Sequence, residues 1–190
     1  MRFAFPQWRG FESAPHGHLL DQIVDLSGPM GIAYERSVGF YKDVHTHTLN
    51  GVAVSTQRAG LLPISQHAIS VLASLGYHDF EGPALRDDEK PRLVADLGDK
   101  TSLILRNHGL LTVGETVAEA FVAMYYLEAS CAIQVRAQSG GGELIPVPKE
   151  IIETAYAQVM AAARPRGSRG TLVWPGLLRR LDRVDPSYRT

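Results

Sequence analysis

The chain has 190 residues, 45% of them hydrophobic and 21% charged, with 19 Lys and Arg nearly cancelling 20 Asp and Glu. At that length one α/β domain buries roughly 70% of the surface its unfolded chain exposes, so a full core is available, and the charge balance excludes disorder and a surface built for a polyanion. Cys131 is the only cysteine, which excludes an internal disulfide and a Cys-rich metal cluster, and no stretch approaches the ~18 uncharged apolar residues that span a bilayer.

From Met1 to Asp43 the pattern is weak. Pro6, Pro15, Gly17, Gly28, Pro29 and Gly31 interrupt it, and only Leu19 to Leu26 suggests a short amphipathic helix. The first ten residues lack the apolar run of a signal peptide, so a reducing cytoplasm is the expected location. Further on, Pro63 precedes a helix expected from Ser65 to Leu75, with Ser65 as its N-cap, and Asp87 to Leu97 also reads as helical. Thr101 to Leu105 is short and rich in Leu and Ile, as a buried strand would be, and it ends at Arg106-Asn107-His108-Gly109. Leu110 to Val113 is then its neighbour across a tight turn.

Glu115 to Ala137 is the clearest helix, since Val117, Ala120, Phe121, Met124, Tyr125, Leu127, Glu128, Cys131 and Val135 recur at three- and four-residue steps. Ser139 to Gly142 ends it with small residues, and Lys149 to Ala163 forms a further helix. Arg164 to Gly170 is basic and flexible in composition, and Trp174-Pro175-Gly176 leads into a short amphipathic stretch, Leu177 to Asp182. The organisation expected is a poorly patterned segment over 1–43, one domain over 44–180 and a polar tail over 181–190.

His45-Thr46-His47 stands where an extended segment meets a turn. On a strand, positions i and i+2 point to one face, so two imidazoles can fill adjacent corners of a tetrahedral metal site. His108, at the end of the best strand and before Gly109, is the candidate for a third ligand. On residue type alone, surface or core packing is the commoner explanation of such a pair.

The order of the motifs narrows the choice. Val44-His45-Thr46-His47 is followed by Val52-Ala53-Val54-Ser55, Gly60-Leu61-Leu62-Pro63, Tyr77-His78-Asp79-Phe80-Glu81-Gly82 and Leu97-Gly98-Asp99-Lys100. Leu105-Arg106-Asn107-His108-Gly109-Leu110-Leu111-Thr112-Val113-Gly114 and Glu119-Ala120-Phe121 complete the series. From Val44 to Arg180 the chain resembles the class II aldolase and adducin head domain family.

That resemblance implies a three-layer α/β/α domain with a mixed or mainly antiparallel sheet. It implies a divalent metal ion, foremost Zn2+, held by His45, His47 and His108, and retro-aldol cleavage of a small hydroxy-carbonyl or sugar-phosphate compound through a metal-stabilised enediolate. His67, on the helix after Leu62-Pro63, is the expected catalytic acid or base, histidine being the side chain most often used for that work; a subunit contact is the other reading of it. The expected partners are a small-molecule substrate and further copies of the chain, as tetramers, with no nucleic acid and no membrane. The alternative is a non-catalytic adducin-like domain that forms oligomers or binds partners.

Some features depart from the family. Its aldolases place a base carboxylate before the H-x-H pair, and Asp25, Glu35 and Asp43 do not form that motif. The usual N-terminal strands and Gly/Ser/Asn loops are not recognisable in Met1 to Asp43. The expectation is a shortened or altered gene product, rather than a divergent one, with a neighbouring strand edge left uncovered.

Other candidates receive structural readings. Cys131 is expected as a packed thiol, and Tyr125 and Tyr126 point about 100° apart, one to the core and one outward. His78 is expected in a structural role beside Tyr77, with a pocket role second. Arg106 would pair with Asp99, Glu81 or an anionic substrate. Arg164, Arg166, Arg169, Arg179, Arg180 and Arg183 read as a solvated tail, and Gly140-Gly141-Gly142 lacks the strand and the Lys-Ser/Thr of a phosphate loop.

Overall fold

In the computed structural model, which describes residues 23–24, 42–82, 88–163 and 169–185, the strands are β1 (Ile23–Val24), β2 (Lys42–Thr46), β3 (Leu75–His78), β4 (Ser102–Leu105) and β5 (Gly109–Gly114). Among the described residues they form one sheet in the order β1-β2-β5-β4-β3. β3 and β4 pair in parallel and the other neighbours antiparallel, so the sheet is mixed, as expected. The helices are α1 (Leu49–Ser55), α2 (Gln66–Leu72), α3 (Lys90–Leu97), α4 (Val117–Ser139), α5 (Lys149–Ala163) and α6 (Arg169–Val184).

Two hydrophobic clusters explain the three layers. Val44, Val54, Ala68, Val71, Ile104, Leu110, Met124 and Leu127 join one face of the sheet to α1, α2 and α4. Leu93 and Leu97 of α3 join the other face through Leu103, Leu105, Leu111 and Val113. Successive side chains of a strand point to opposite faces, so Leu103 and Leu105 serve one layer and Ile104 the other. That is why β4 and β5 show no polar alternation: every residue in them is buried.

The helix caps follow the sequence. Ser65 accepts a hydrogen bond from the Ala68 amide at the start of α2, and Thr116 with Glu119 forms a reciprocal capping box on α4. The helix expected up to Leu75 stops at Leu72, because Leu75 opens β3, a strand not anticipated. Its Gly76-Tyr77-His78 run looks too polar for a strand, and what holds it is pairing with Gly76↔Leu103, Tyr77↔Ile104 and His78↔Leu105.

Two further expectations are corrected. Within Leu19 to Leu26, Ile23 and Val24 are strand, not helix, paired with Thr46 and His45; the rest of that segment lies outside the described residues. The β2 edge is therefore covered at those two positions, which satisfies backbone groups that an open edge leaves unpaired. The stretch expected as short, Leu177 to Asp182, belongs to a 16-residue helix that begins at Arg169 and runs through Pro175. An interior proline costs about 3 kcal/mol, and the helix forms because α6 lies along α4, with the Trp174 ring 5.6 Å from that of Phe121. Arg164, Arg166 and the residues after Asp185 lie outside the described residues. No described helix is long and apolar enough to cross a membrane.

Gln134 of α4, 0% exposed, latches the loop that follows α1. Its carbonyl accepts from the Leu62 amide at 2.7 Å, and its amide group donates to the Gly60 carbonyl at 2.9 Å and to Gln57 at 2.7 Å. Gln134→Leu keeps the volume and orphans these groups, at about 1–3 kcal/mol for each one left buried and unsatisfied. The expected result is a urea midpoint lowered with unchanged slope; a midpoint equal to that of the parent chain would show that the latch is not needed.

Candidate metal centre

Because β5 runs antiparallel to both β2 and β4, the strands β2, β3 and β4 all point the same way. Their carboxyl ends, with the turn before β5, gather at one edge of the sheet, and His45, His47, His78 and His108 come from those ends. His45, on β2, is 2% exposed. Its Nδ1 donates to the Leu110 carbonyl of β5 at 2.9 Å, which leaves Nε2 with a lone pair and fixes the ring's direction.

His47 lies just beyond the strand, its Nε2 2.6 Å from Nε2 of His45. His108 comes from the β4–β5 turn, where Asn107 adopts a φ of 57°, a left-handed conformation that Asn tolerates better than most residues. A Cβ on Gly109 would collide with the Thr46 carbonyl oxygen, so a glycine there lets the turn lie directly on the end of β2. The ring centroids stand 4.5 Å (His45–His47), 4.9 Å (His45–His108) and 4.7 Å (His47–His108) apart. Each ring offers a nitrogen, and these nitrogens lie within 4.8 Å of one another.

The electrostatics suit a cation. Burial lowers His45 to about 3, with the neighbouring His108 and His47 adding to the effect, and burial foremost also lowers His108. Metals bind the neutral imidazole. Together the three imidazoles form a group that could hold a metal ion.

Other candidates fall elsewhere. His67 is on α2, partly buried, with its ring 5.8 Å from that of Tyr126 on α4, and it is not in the three-histidine group. Tyr126 packs on the core while Tyr125 is half exposed. Arg106 donates to the Gln57 carbonyl at 2.8 Å and lies 4.2 Å over the Tyr77 ring, and Glu81 is gripped by Arg92. Cys131 is buried, and burial raises its thiol far above neutrality, so it is packing, not a nucleophile.

Two buried carboxylates escape a reading for function. Glu128 of α4 accepts from the Thr48 hydroxyl and from Asn50 Nδ2 at 2.9 Å, so it ties the segment after His47 to the long helix. Burial raises its pKa, against those hydrogen bonds. A carboxylate inside an apolar stripe was the available signal. Glu89 precedes α3 and, buried, lies 3.3 Å from His78 Nε2, while Asp96 takes Nδ1 at 2.7 Å; in the sequence nothing marks this trio, since the three residues are spread over two elements.

Residues 40–135 match the Class II Aldolase and Adducin N-terminal domain. The chain is 51% identical over 147 residues to a Pseudomonas aeruginosa protein placed in aldolase class 2, covering 77% of this chain and 57% of that protein. It is 41% identical over 177 residues to a Caulobacter vibrioides protein of the same class, covering 90% and 68%. It is also 48% identical over 100 residues to rat alpha-adducin, covering 52% of this chain and 14% of the adducin. Among solved structures, an aldolase II superfamily protein from Pseudomonas syringae superposes with a TM-score of 0.75 at 44% identity, covering 83% of this chain and 63% of that one. The chain thus spans 57% of the length of the Pseudomonas aeruginosa relative. It belongs to the class II aldolase and adducin N-terminal domain family.

Proposed function

We propose that this family member holds one divalent ion, zinc by its donor chemistry, on His45, His47 and His108, and cleaves a small hydroxy-carbonyl or sugar-phosphate compound by a retro-aldol reaction. The observation that carries this reading is the convergence of three nitrogens within 4.8 Å, one of them aimed by the Leu110 carbonyl. When bound there, the ion supplies Lewis acidity toward a substrate carbonyl oxygen. The chain's own part is to keep His45 and His108 neutral through burial and to hold the rings through β2, β5 and the Asn107-His108-Gly109 turn. Half-exposed Phe80, its ring 6.5 Å from that of His108, borders the centre.

His67 is proposed as the acid or base. Since its ring sits against Tyr126 and outside the three-histidine group, it serves the centre of a neighbouring copy in a tetramer. A cytoplasmic location belongs to the same proposal. The similarity to rat alpha-adducin favours a second reading, a domain that assembles and binds partners without catalysis; bound zinc has no use in that role.

Metal analysis of the purified chain, followed by an assay of aldehyde release from sugar phosphates, separates the two. Stoichiometric zinc with aldehyde release supports the lyase, and absence of bound metal after zinc loading overturns it. His67→Ala is expected to keep zinc and lower turnover by about 10²–10⁴-fold, the usual share of general acid–base catalysis. Mixing that variant with His108→Ala chains should restore part of the activity if the two residues act across copies.

A further inference from the structure

β3 carries a buried group to the same edge of the sheet as the three histidines. His78 pairs with Leu105 in register, and its carbonyl accepts from the Arg106 amide at 2.8 Å, so the strand ends two residues from the turn that bears His108. Two residues beyond His78, Phe80 places its ring beside that of His108. His78 is 3% exposed and Glu89 7%, and the Glu89 side chain makes no hydrogen bond to the start of α3, which it precedes. Its carboxylate turns instead to His78 Nε2, at 3.3 Å, while Asp96 of α3 holds Nδ1 of the same ring at 2.7 Å.

Burying a carboxylate is costly unless it meets a compensating charge or hydrogen bonds. The partner of Glu89 is the His78 ring, which it shares with Asp96. The three imidazoles supply no charge of their own when neutral, so a divalent ion among them would carry its full charge into a partly buried place. We infer that Glu89, steadied by His78 and Asp96, is the positioning carboxylate of the three-histidine centre, supplying the negative charge that balances a bound divalent cation. The inference rests on the metal-binding reading above. The field of Glu89 at His108 agrees with it, since it acts on that imidazole with the sign of a nearby anion.

The arrangement also says what each partner contributes. Asp96 is half exposed, so its pull on the imidazole is weakened by water, and its part is to set the ring's orientation. Glu89 is shielded from water, so its charge acts on the centre with little screening.

The test is zinc affinity, by competition against a chromophoric chelator, for the parent chain, Glu89→Gln and His78→Asn. Glu89→Gln keeps the shape and loses the charge, and it is expected to bind zinc about 10–100-fold more weakly, the usual cost of losing a group that supports metal ligands. His78→Asn, which frees the carboxylate from its partner, is expected to weaken binding in the same direction. An affinity for Glu89→Gln within threefold of the parent overturns the inference; if that variant does not fold, an unchanged affinity in His78→Asn does so. A parent chain that binds no zinc sinks the metal-binding reading itself, and the two failures are thereby told apart.

Discussion

His108→Ala is expected to weaken zinc binding by about two to three orders of magnitude. Structural zinc sites with four ligands bind with roughly 10–16 kcal/mol, or about 2.5–4 kcal/mol for each ligand if shared equally, and each 1.4 kcal/mol is a factor of ten. His108 is the ligand to remove first. His45 is buried and holds the Leu110 carbonyl, so its loss also disturbs the β2–β5 pairing. His108 sits in a turn and is partly exposed, so alanine there leaves the fold intact and isolates the metal term. Chelator competition reads the affinity and circular dichroism checks the fold; a loss smaller than tenfold would mean that the turn histidine does not share the ion.

The second large effect is on acid stability of the metal-free chain. Burial holds His45 near 3 when folded, against 6.5 for an ordinary imidazole. Between those values the unfolded chain binds a proton that the folded chain refuses. Stability therefore falls as pH falls, beginning at 6.5 and continuing toward 3, by up to about 1.4 kcal/mol per pH unit. Above that window both states are neutral and the contribution is flat. His108, lowered for the same reason, adds to the slope. At pH 5 the loss from His45 is about 2 kcal/mol, a large fraction of a typical domain's 5–15 kcal/mol.

Glu128 works in the opposite sense. Its raised pKa gives it stability that is complete below the ordinary carboxylate value and lost as pH rises through the folded one. Since it is common to both chains, comparison with His45→Asn isolates the histidine. Asn retains a donor for the Leu110 carbonyl and has no proton to gain. Urea denaturation in the presence of a chelator at pH 7.5, 6 and 5 should give a flatter dependence for the variant; parallel curves would show that His45 does not carry the acid sensitivity.

On the proposed reading zinc and acid oppose each other at one centre: zinc bound to the folded chain would add stability by mass action, whereas protons favour the unfolded chain. Glu89 enters the same balance, because a carboxylate near His108 favours any cation there, metal or proton.

Much of the architecture was legible in the chain. The run Ser102–Leu105, short and uniformly apolar after its first residue, reads as a buried strand, and the rhythm of α4 marks Ala120, Phe121, Met124, Leu127, Glu128 and Cys131 of its buried face, whereas Val117 and Tyr125 of the same rhythm are half exposed. Ser65 as N-cap follows from a side chain that competes for backbone amides. The motif order around His45, His47 and His108 led to the family, and the fold it implied is the fold observed.

What local pattern could not supply is anything stabilised by distant partners. β3 is short and interrupted by Gly76, and only the Leu103, Ile104 and Leu105 backbone beside it makes it a strand. Ile23 and Val24 sit in a segment with a faint helical rhythm, yet the open edge of β2 takes them as β1. Pro175 argues against a continuous α6 until Trp174 meets Phe121. Residue types and their spacing thus determined the layers, the long helix and three histidines able to bind a metal. That these imidazoles come within 4.8 Å of one another was decided only when antiparallel pairing through β5 brought the ends of β2, β3 and β4 to one edge, since burial and charge act through space and leave no local signature in the chain.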